Sequence, residues 1–523
     1  MEILLKILKR PIPNFANSFG SLILFILLLC LTARVTYAQQ KDFSFSHPPS
    51  SFYDQIDPEK LYNTLQDIAS PAFMGRELGT SGNIKAVDWL DFKFRDIGLE
   101  PIFNTSFKQG FPVASYQLGE TNNLTVSDST FELFNHFVPA YFSDSDQVRA
   151  PLFWAGNMDE VNANVASGMA GKIVAIWQDS TKMGMPYAAP LEKIRKAESF
   201  GAEAVVLITP PGRKSSHSAT GSPYRFEEFI QLPQKAEQTM EVVTSPFITP
   251  QSLSIPVIYA SKKILPLLYN QLEDRRTSVY ELRKGDLSAD TVALQTSVEI
   301  QERKQAFNVV GMVEGTAPPT ERKAVILGAH FDQQGLHSSG MPMLGANRNA
   351  AAVSALLEIA RIVAKADQKP HHDIIFAAWN GTERNAAGLT YFLDNMPMPD
   401  ESVAGVINLL EIAGSRLSDT VHVYTEMPKQ HDKLQAAATQ AGDVFGYKLH
   451  KRSDNDAGSG IYDFQLIPIA RRNIPAMSIS GGYYSLGNRV IDSADKLNYN
   501  QLYNITHFAL ELTWNMAHPV SSN

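Results

Sequence analysis

At 523 residues the chain is longer than one hydrophobic core accommodates, so two or more domains are expected. Hydrophobic residues at 44% and charged residues at 19% give the balance of an ordinary globular protein. A net charge of −8, with no basic stripe interleaved with aromatics, gives no reason to expect a nucleic-acid partner.

The first element is a targeting segment. Lys6, Lys9 and Arg10 precede the apolar run LILFILLLCLTA, and Thr36-Tyr37-Ala38 supplies the small residues of a cleavage site. The run is shorter than the roughly 20 residues that span a bilayer. Residues 1–38 therefore read as a signal peptide cut near Ala38, which predicts a periplasmic or secreted protein with no membrane span after cleavage. Cys30, the only cysteine, would leave with it, so the mature chain has no disulfide or thiol chemistry. Residues 39–52 are polar with Pro and Ser and read as a linker.

DPEKLYNTLQDIAS follows as a helix and MGRELGTSGN as a Gly-rich loop. In the next segment Ile84, Val87, Leu90, Phe94 and Ile97 fall at helical spacing, and Gly98 and Pro101 stop the run. Over 126–304 the texture changes to short β-rich runs (APLFWAG, GKIVAIW, AEAVVLITP, SIPVIYA) with one helix, APLEKIRKAESFGA, and a long polar excursion over 210–250. From about 305 strands and helices alternate. FNVVGMVEG, KAVILGAHF, HDIIFAAWNG, SVAGVINLLEIAG and IPAMSISGG read as strands. NAAAVSALLEIARIVAKA and AAGLTYFLDNM read as helices, the first with Val353, Leu356, Leu357, Ala360 and Val363 on one face. The predicted fold is α/β: a mostly parallel mixed sheet with helices on both faces, plus an inserted β-rich α/β domain. Ligands of such sheets collect beyond the C-terminal strand ends. His330, the NGTE segment and Glu411 fall there.

Histidine and carboxylates at converging strand ends are the donors that a zinc site uses. His330 and Asp332 lie in AHFD, Glu383 in NGTE and Glu411 in LLEIAG. With the blocks MGRELGTSGNIKAVDWLDFKFRDIGLEP, FNVVGMVEGT, GAHFD and DSADKLNY in this order, the chain resembles the zinc aminopeptidases of peptidase family M28 over 53–125 and 305–515. The resemblance implies a discontinuous zinc-exopeptidase-like domain of the phosphorylase/hydrolase-like type. The 126–304 insert resembles a protease-associated domain. Working members hold two zinc ions, bridged by an aspartate, with a glutamate as general base.

Carried over residue by residue, His330 matches a zinc ligand and Asp332 the aspartate that orients it. Glu383 and Glu411 match further ligands. The family's GADDNASG stands here as GANRNAAA, which puts Asn347 at the bridging position and Arg348 beside it. GEE becomes GTE, with Thr382 in place of the base. The last histidine ligand aligns with Leu466; Asn455 would serve only with a local insertion.

A neutral Asn347 cannot offset the repulsion between two dications. The resemblance therefore predicts no zinc or one, with His330, Glu411 and Asn347 as the surviving donors. Arg348 has two orientations open. Turned inward, it pairs with Glu383 or Glu411 and replaces the metal's charge; turned outward, it is solvated. Thr382 takes no proton from water at neutral pH, and a lost general base costs roughly 10²–10⁴-fold in rate. The expected function is that of an exported, catalytically impaired family member that binds a peptide or protein. Two alternatives stay open: an active metal-dependent aminopeptidase with a rebuilt, mononuclear site, and an interaction module working through the insert. No motif speaks to oligomeric state.

Overall fold

The computed structural model describes residues 45–126, 129–133, 136–140, 142–158, 161–177, 188–209, 242–244, 253–261, 264, 287–337, 340–382, 386–425, 432–452, 465–482, 484, 486–487 and 489–518. The signal peptide assigned to 1–38, Glu383, Asn455 and most of the 210–250 excursion lie outside the described residues. Among those described, no helix is long and apolar enough to cross a membrane.

Helices α1 (Ser50–Asp54), α2 (Pro58–Ile68) and α3 (Ser81–Ile97) lead into strands β1 (Glu100–Pro101) and β2 (Lys108–Leu118). The insert supplies β3 (Asn123–Val126), β4 (Ser129–Phe131), β5 (Phe137–Pro139), β6 (Gln147–Trp154), α4 (Ala163–Gly168) and β7 (Ile173–Trp177). It continues through α5 (Ala188–Ser199), β8 (Ala204–Thr209), β9 (Val242–Thr244), β10 (Val257–Ser261) and β11 (Leu287–Gln295). The chain returns through β12 (Val298–Val313), β13 (Ala324–His330), α6 (Ala351–Lys365), β14 (Asp373–Trp379), α7 (Ala387–Asp394) and β15 (Val403–Leu410). Last come β16 (Thr420–Tyr424), α8 (Asp432–Phe445), β17 (Lys448–Arg452), α9 (Leu466–Ala470), β18 (Ala476–Ser480) and α10 (Tyr499–Ala517).

Ten strands form the main sheet, in the order β17-β16-β18-β15-β13-β14-β12-β2-β9, with β1 paired to β12. Its centre, β18-β15-β13-β14, is parallel, and antiparallel strands flank it. Every residue of β13 is buried, which explains why AVILGAH reads as one apolar run. Helices α6 and α10 pack on one face of this sheet, with α2 against α6. Helices α7 and α9 pack on the other, where Phe392 and Ile469 meet Ile326 and Ile375. Register aligns His330 with Trp379, Ala329 with Leu409, and Leu410 with Ser480, so four parallel strands end at one level.

The insert forms a second sheet of eight strands, β4-β3-β11-β6-β7-β8-β10-β5, with an apolar core on each face. The neck between the sheets is the antiparallel ladder of β2 and β12, running from Lys108–Val309 to Leu118–Val298. The insert's own strands begin at Asn123, just before the 126–304 limits read from texture, and end at Gln295, short of them, because β12 starts at Val298. Strand β9 leaves the insert to pair with β2 at the edge of the main sheet.

Two local expectations need correction. Residues 45–52, assigned to a linker, are packed: Phe45 and Phe52 are buried, and Phe52 meets Trp514 edge-on at 4.9 Å. Two aromatics in a short polar run suffice to dock it. His47 Nδ1 lies 2.6 Å from Glu511 Oε1, and the Tyr53 hydroxyl donates to Glu511 Oε2, so a fully buried carboxylate of α10 holds this segment. In α3, Val87, Leu90, Phe94 and Ile97 are buried as expected, but Ile84 is 50% exposed. The first turn instead buries Asn83, whose carboxamide is needed inside. Thr80 caps this helix by accepting from the Asn83 N–H, and Gly98 closes it at φ 89°, where a side chain would be strained.

Candidate functional site

The site lies where β13, β14, β15 and β18 end, and a buried arginine supports it from below. Arg76 is fully buried, with Nε donating to Phe331 O at 2.7 Å, Nη1 to Ile68 O at 2.6 Å and Nη2 to Gly345 O at 3.5 Å. Burial lowers its pKa to about 10, against the opposing pull of Asp332 and Asp492, so it is charged at neutral pH. The Arg76 carbonyl accepts from Asn83 Nδ2, and Asn83 exchanges two 2.9 Å amide hydrogen bonds with Asn380. This chain of bonds fixes the segment leading from β14 to Thr382.

His330 ends β13 and is fully buried. Two carboxamides approach its Nδ1: Asn349 Nδ2 at 3.4 Å and Gln465 Nε2 at 3.5 Å. Asn349 also donates to Leu409 O at 3.0 Å and accepts the Glu411 N–H at 2.9 Å. It thereby holds Glu411 at φ 51°, a left-handed angle that costs a non-glycine residue about 1–2 kcal/mol. The Glu411 carbonyl accepts from Gly481 N at 3.0 Å, joining β15 to β18 beyond their ladder.

The Glu411 carboxylate faces a cation. Arg348 Nη1 is 2.8 Å from Glu411 Oε1, with side-chain exposures of 20% and 10%. The backbone beneath Arg348 is pinned. Asp492 accepts the N–H groups of Asn347 at 2.9 Å and of Arg348 at 3.2 Å, while Gln333 Nε2 donates to Arg348 O at 2.6 Å. Burial pushes the Asp492 carboxyl up to about 6; the two N–H donors and Arg76 oppose this, and Glu411 adds to it. Tyr484 packs so closely that a Cβ on Gly414 would lie 2.5 Å from the Tyr484 ring and from Asn347 Nδ2. Burial, with Asp492, Asp495 and Glu411 nearby, raises the Tyr484 pKa. The Tyr484 hydroxyl, Asn347 Nδ2 and Thr382 Oγ1 are buried without a hydrogen-bond partner among the described residues.

The residues chosen from sequence are thus largely brought together. His330, Asp332, Asn347, Thr382 and Glu411 are buried at this end of the sheet, and Arg348 takes the inward orientation. Glu383 lies outside the described residues. Two assignments shift. Asn347, placed at the bridging position, turns its Oδ1 to the Ala413 N–H at 2.8 Å, and Arg348 is the side chain that reaches Glu411. Leu466, placed at the last ligand position, is packed in the apolar core with Trp379 and Phe392. Gln465 approaches His330 instead, because one step along a helix turns a side chain by about 100°. Sequence reasoning passed over Asn349, Gln465, Asp492, Tyr484 and Arg76. Asp492, Arg76 and Asn349 carried a signal, since they stand inside the quoted blocks DSADKLNY, MGRELGTSGN and GANRNAAA.

Residues 308–513 match the model of a family described as Peptidase family M28. The chain carries a peptidase family M28 domain. Among solved structures, the aminopeptidase of Aneurinibacillus sp. strain AM-1 is similar in fold with a TM-score of 0.61 at 18% identity, over 90% of this chain and 96% of that one. A Leptosphaeria maculans protein named as a probable zinc metalloprotease is 27% identical over 184 residues, 33% of this chain and 39% of its own length. The Homo sapiens BOS complex subunit NCLN is 24% identical over 321 residues, 55% of this chain and 52% of its own. The chain spans about half or less of the length of these two relatives.

M28 peptidases are zinc-dependent, so the fit of this M28 domain to zinc is testable on its side chains. The described residues do not fit a two-zinc centre. Glu411 is already paired with a guanidinium, whose fixed positive charge repels a dication. The side chains beside His330 Nδ1 are amides, which are not among the donors that zinc prefers. Among the described residues, no group of three or more His, Cys, Asp or Glu could hold a metal ion.

Proposed function

We propose that this is an exported M28-domain protein that binds a peptide or protein without hydrolysing it. The observation that carries the reading is the shell around His330, where Asn349 and Gln465 present carboxamides to the ring. Such a shell orders the strand ends but supplies no metal-activated water. Thr382 at the general-base position supports the same conclusion, since a buried threonine hydroxyl is no base at neutral pH. The relative NCLN is named as a subunit of a complex, which accords with a binding role for the fold.

The test is release of N-terminal residues from aminoacyl fluorophores and from a mixed peptide pool, with added zinc and with chelator. The expected result is no release above the protein-free blank in either condition. Zinc-dependent release that disappears in His330→Ala would overturn the reading. A second reading, a metal-dependent aminopeptidase with a rebuilt site, is favoured by the retention of buried His330, Asp332 and Glu411. That same release would establish it.

A further inference from the structure

We infer that Arg348 is the resident cation of this site: its guanidinium does for Glu411 what a metal ion would do, and it makes the fold independent of zinc. The inference rests on the non-catalytic reading above. An ionised carboxylate as buried as Glu411 needs a compensating charge. Arg348 supplies it at 2.8 Å.

The arrangement is built from several directions. Asp492 grips the backbone N–H of Arg348 and of the residue before it, and Gln333 grips the carbonyl of Arg348. Asn349, the next residue, holds the Glu411 N–H. The pair is therefore fixed from both backbones and is not a surface arginine folded inward. A guanidinium also delivers directional donors along with its charge, which suits a carboxylate. With Arg348 removed, the space beside the buried Glu411 carboxylate would hold no guanidinium to balance its charge. A divalent cation is the chemical class that this space would then take.

The test is thermal melting of the chain from residue 39 in excess zinc chloride and in EDTA, for wild type, Arg348→Ala and Arg348→Ala/Glu411→Gln. Wild type is expected to melt at one temperature in both conditions. Arg348→Ala is expected to melt lower by about 5 °C or more in EDTA, the scale of an uncompensated buried charge, and to regain at least half of that loss in zinc. The double variant, with neither charge, is expected to ignore zinc. Arg348→Met, which keeps side-chain length, is read the same way if the alanine variant does not accumulate. Zinc stabilising wild type as much as Arg348→Ala, or no zinc response in either neutral variant, would overturn the assignment. The two readings fail separately. Peptide release by wild type in EDTA would sink the non-catalytic reading and leave the cation assignment standing. A zinc-insensitive Arg348→Ala in a protein that releases nothing would do the reverse.

Discussion

Arg76 and Arg348 are two cations with Asp492 as a common neighbour, yet they do different work. Arg76 spends its donors on the carbonyls of Ile68, Phe331 and Gly345, and so ties the turn before α3 to the loop after β13. Arg348 spends its charge on Glu411. Replacing Arg76 with Met leaves buried carbonyls without donors, each costing about 1–3 kcal/mol, so urea denaturation is expected to show a loss of at least about 3 kcal/mol. A loss under about 1 kcal/mol would mean that water takes over those carbonyls. At this scale the sequence was partly legible. His330, Glu411 and Thr382 follow strand ends that hydropathy reveals. The inward turn of Arg348 was not legible, because it depends on Asp492, well over a hundred positions away in the chain, holding the backbone beneath it. Nor was the choice of Gln465 over Leu466, which depends on where α9 begins.

Strand β14 begins beside a histidine with an unusual charge state. His372 is 7% exposed, and its pKa is lowered from 6.5 to about 4 by burial, and further by His371, Lys433, Lys323 and His518. The folded protein keeps it neutral, while the unfolded chain takes up a proton near pH 6.5. Its contribution to stability is therefore fully present above pH 6.5 and is lost as pH falls towards 4. Asp492, pushed up to about 6, works the other way and favours the fold as pH falls over the same interval. The readout is thus the difference between wild type and His372→Gln. Between pH 7 and pH 4 wild type is expected to lose roughly 3 kcal/mol relative to the variant. Parallel pH profiles would show that the ring protonates in place. Elements themselves were well legible where burial is total or nearly so, as in β13 and α6. The docked segment before α2 was missed because its anchor, Glu511, lies at the opposite end of the chain.

Across the whole molecule, an aminopeptidase-like α/β fold brings four parallel strand ends to one level, and the loops that follow them carry the site. Parallel strands in this arrangement were predictable from alternating apolar runs and helices. The limits of the insert were less so, since its first strand starts at Asn123, β12 already begins at Val298 as part of the paired neck, and β9 returns to the main sheet. What the fold still positions is a histidine among amides and a glutamate on an arginine. The central claim is that this constellation has exchanged metal for internal charge. Its most direct test is elemental analysis of the chain from residue 39, purified without chelator and dialysed against trace zinc. The account predicts well below one zinc per chain; two zinc ions per chain would contradict it.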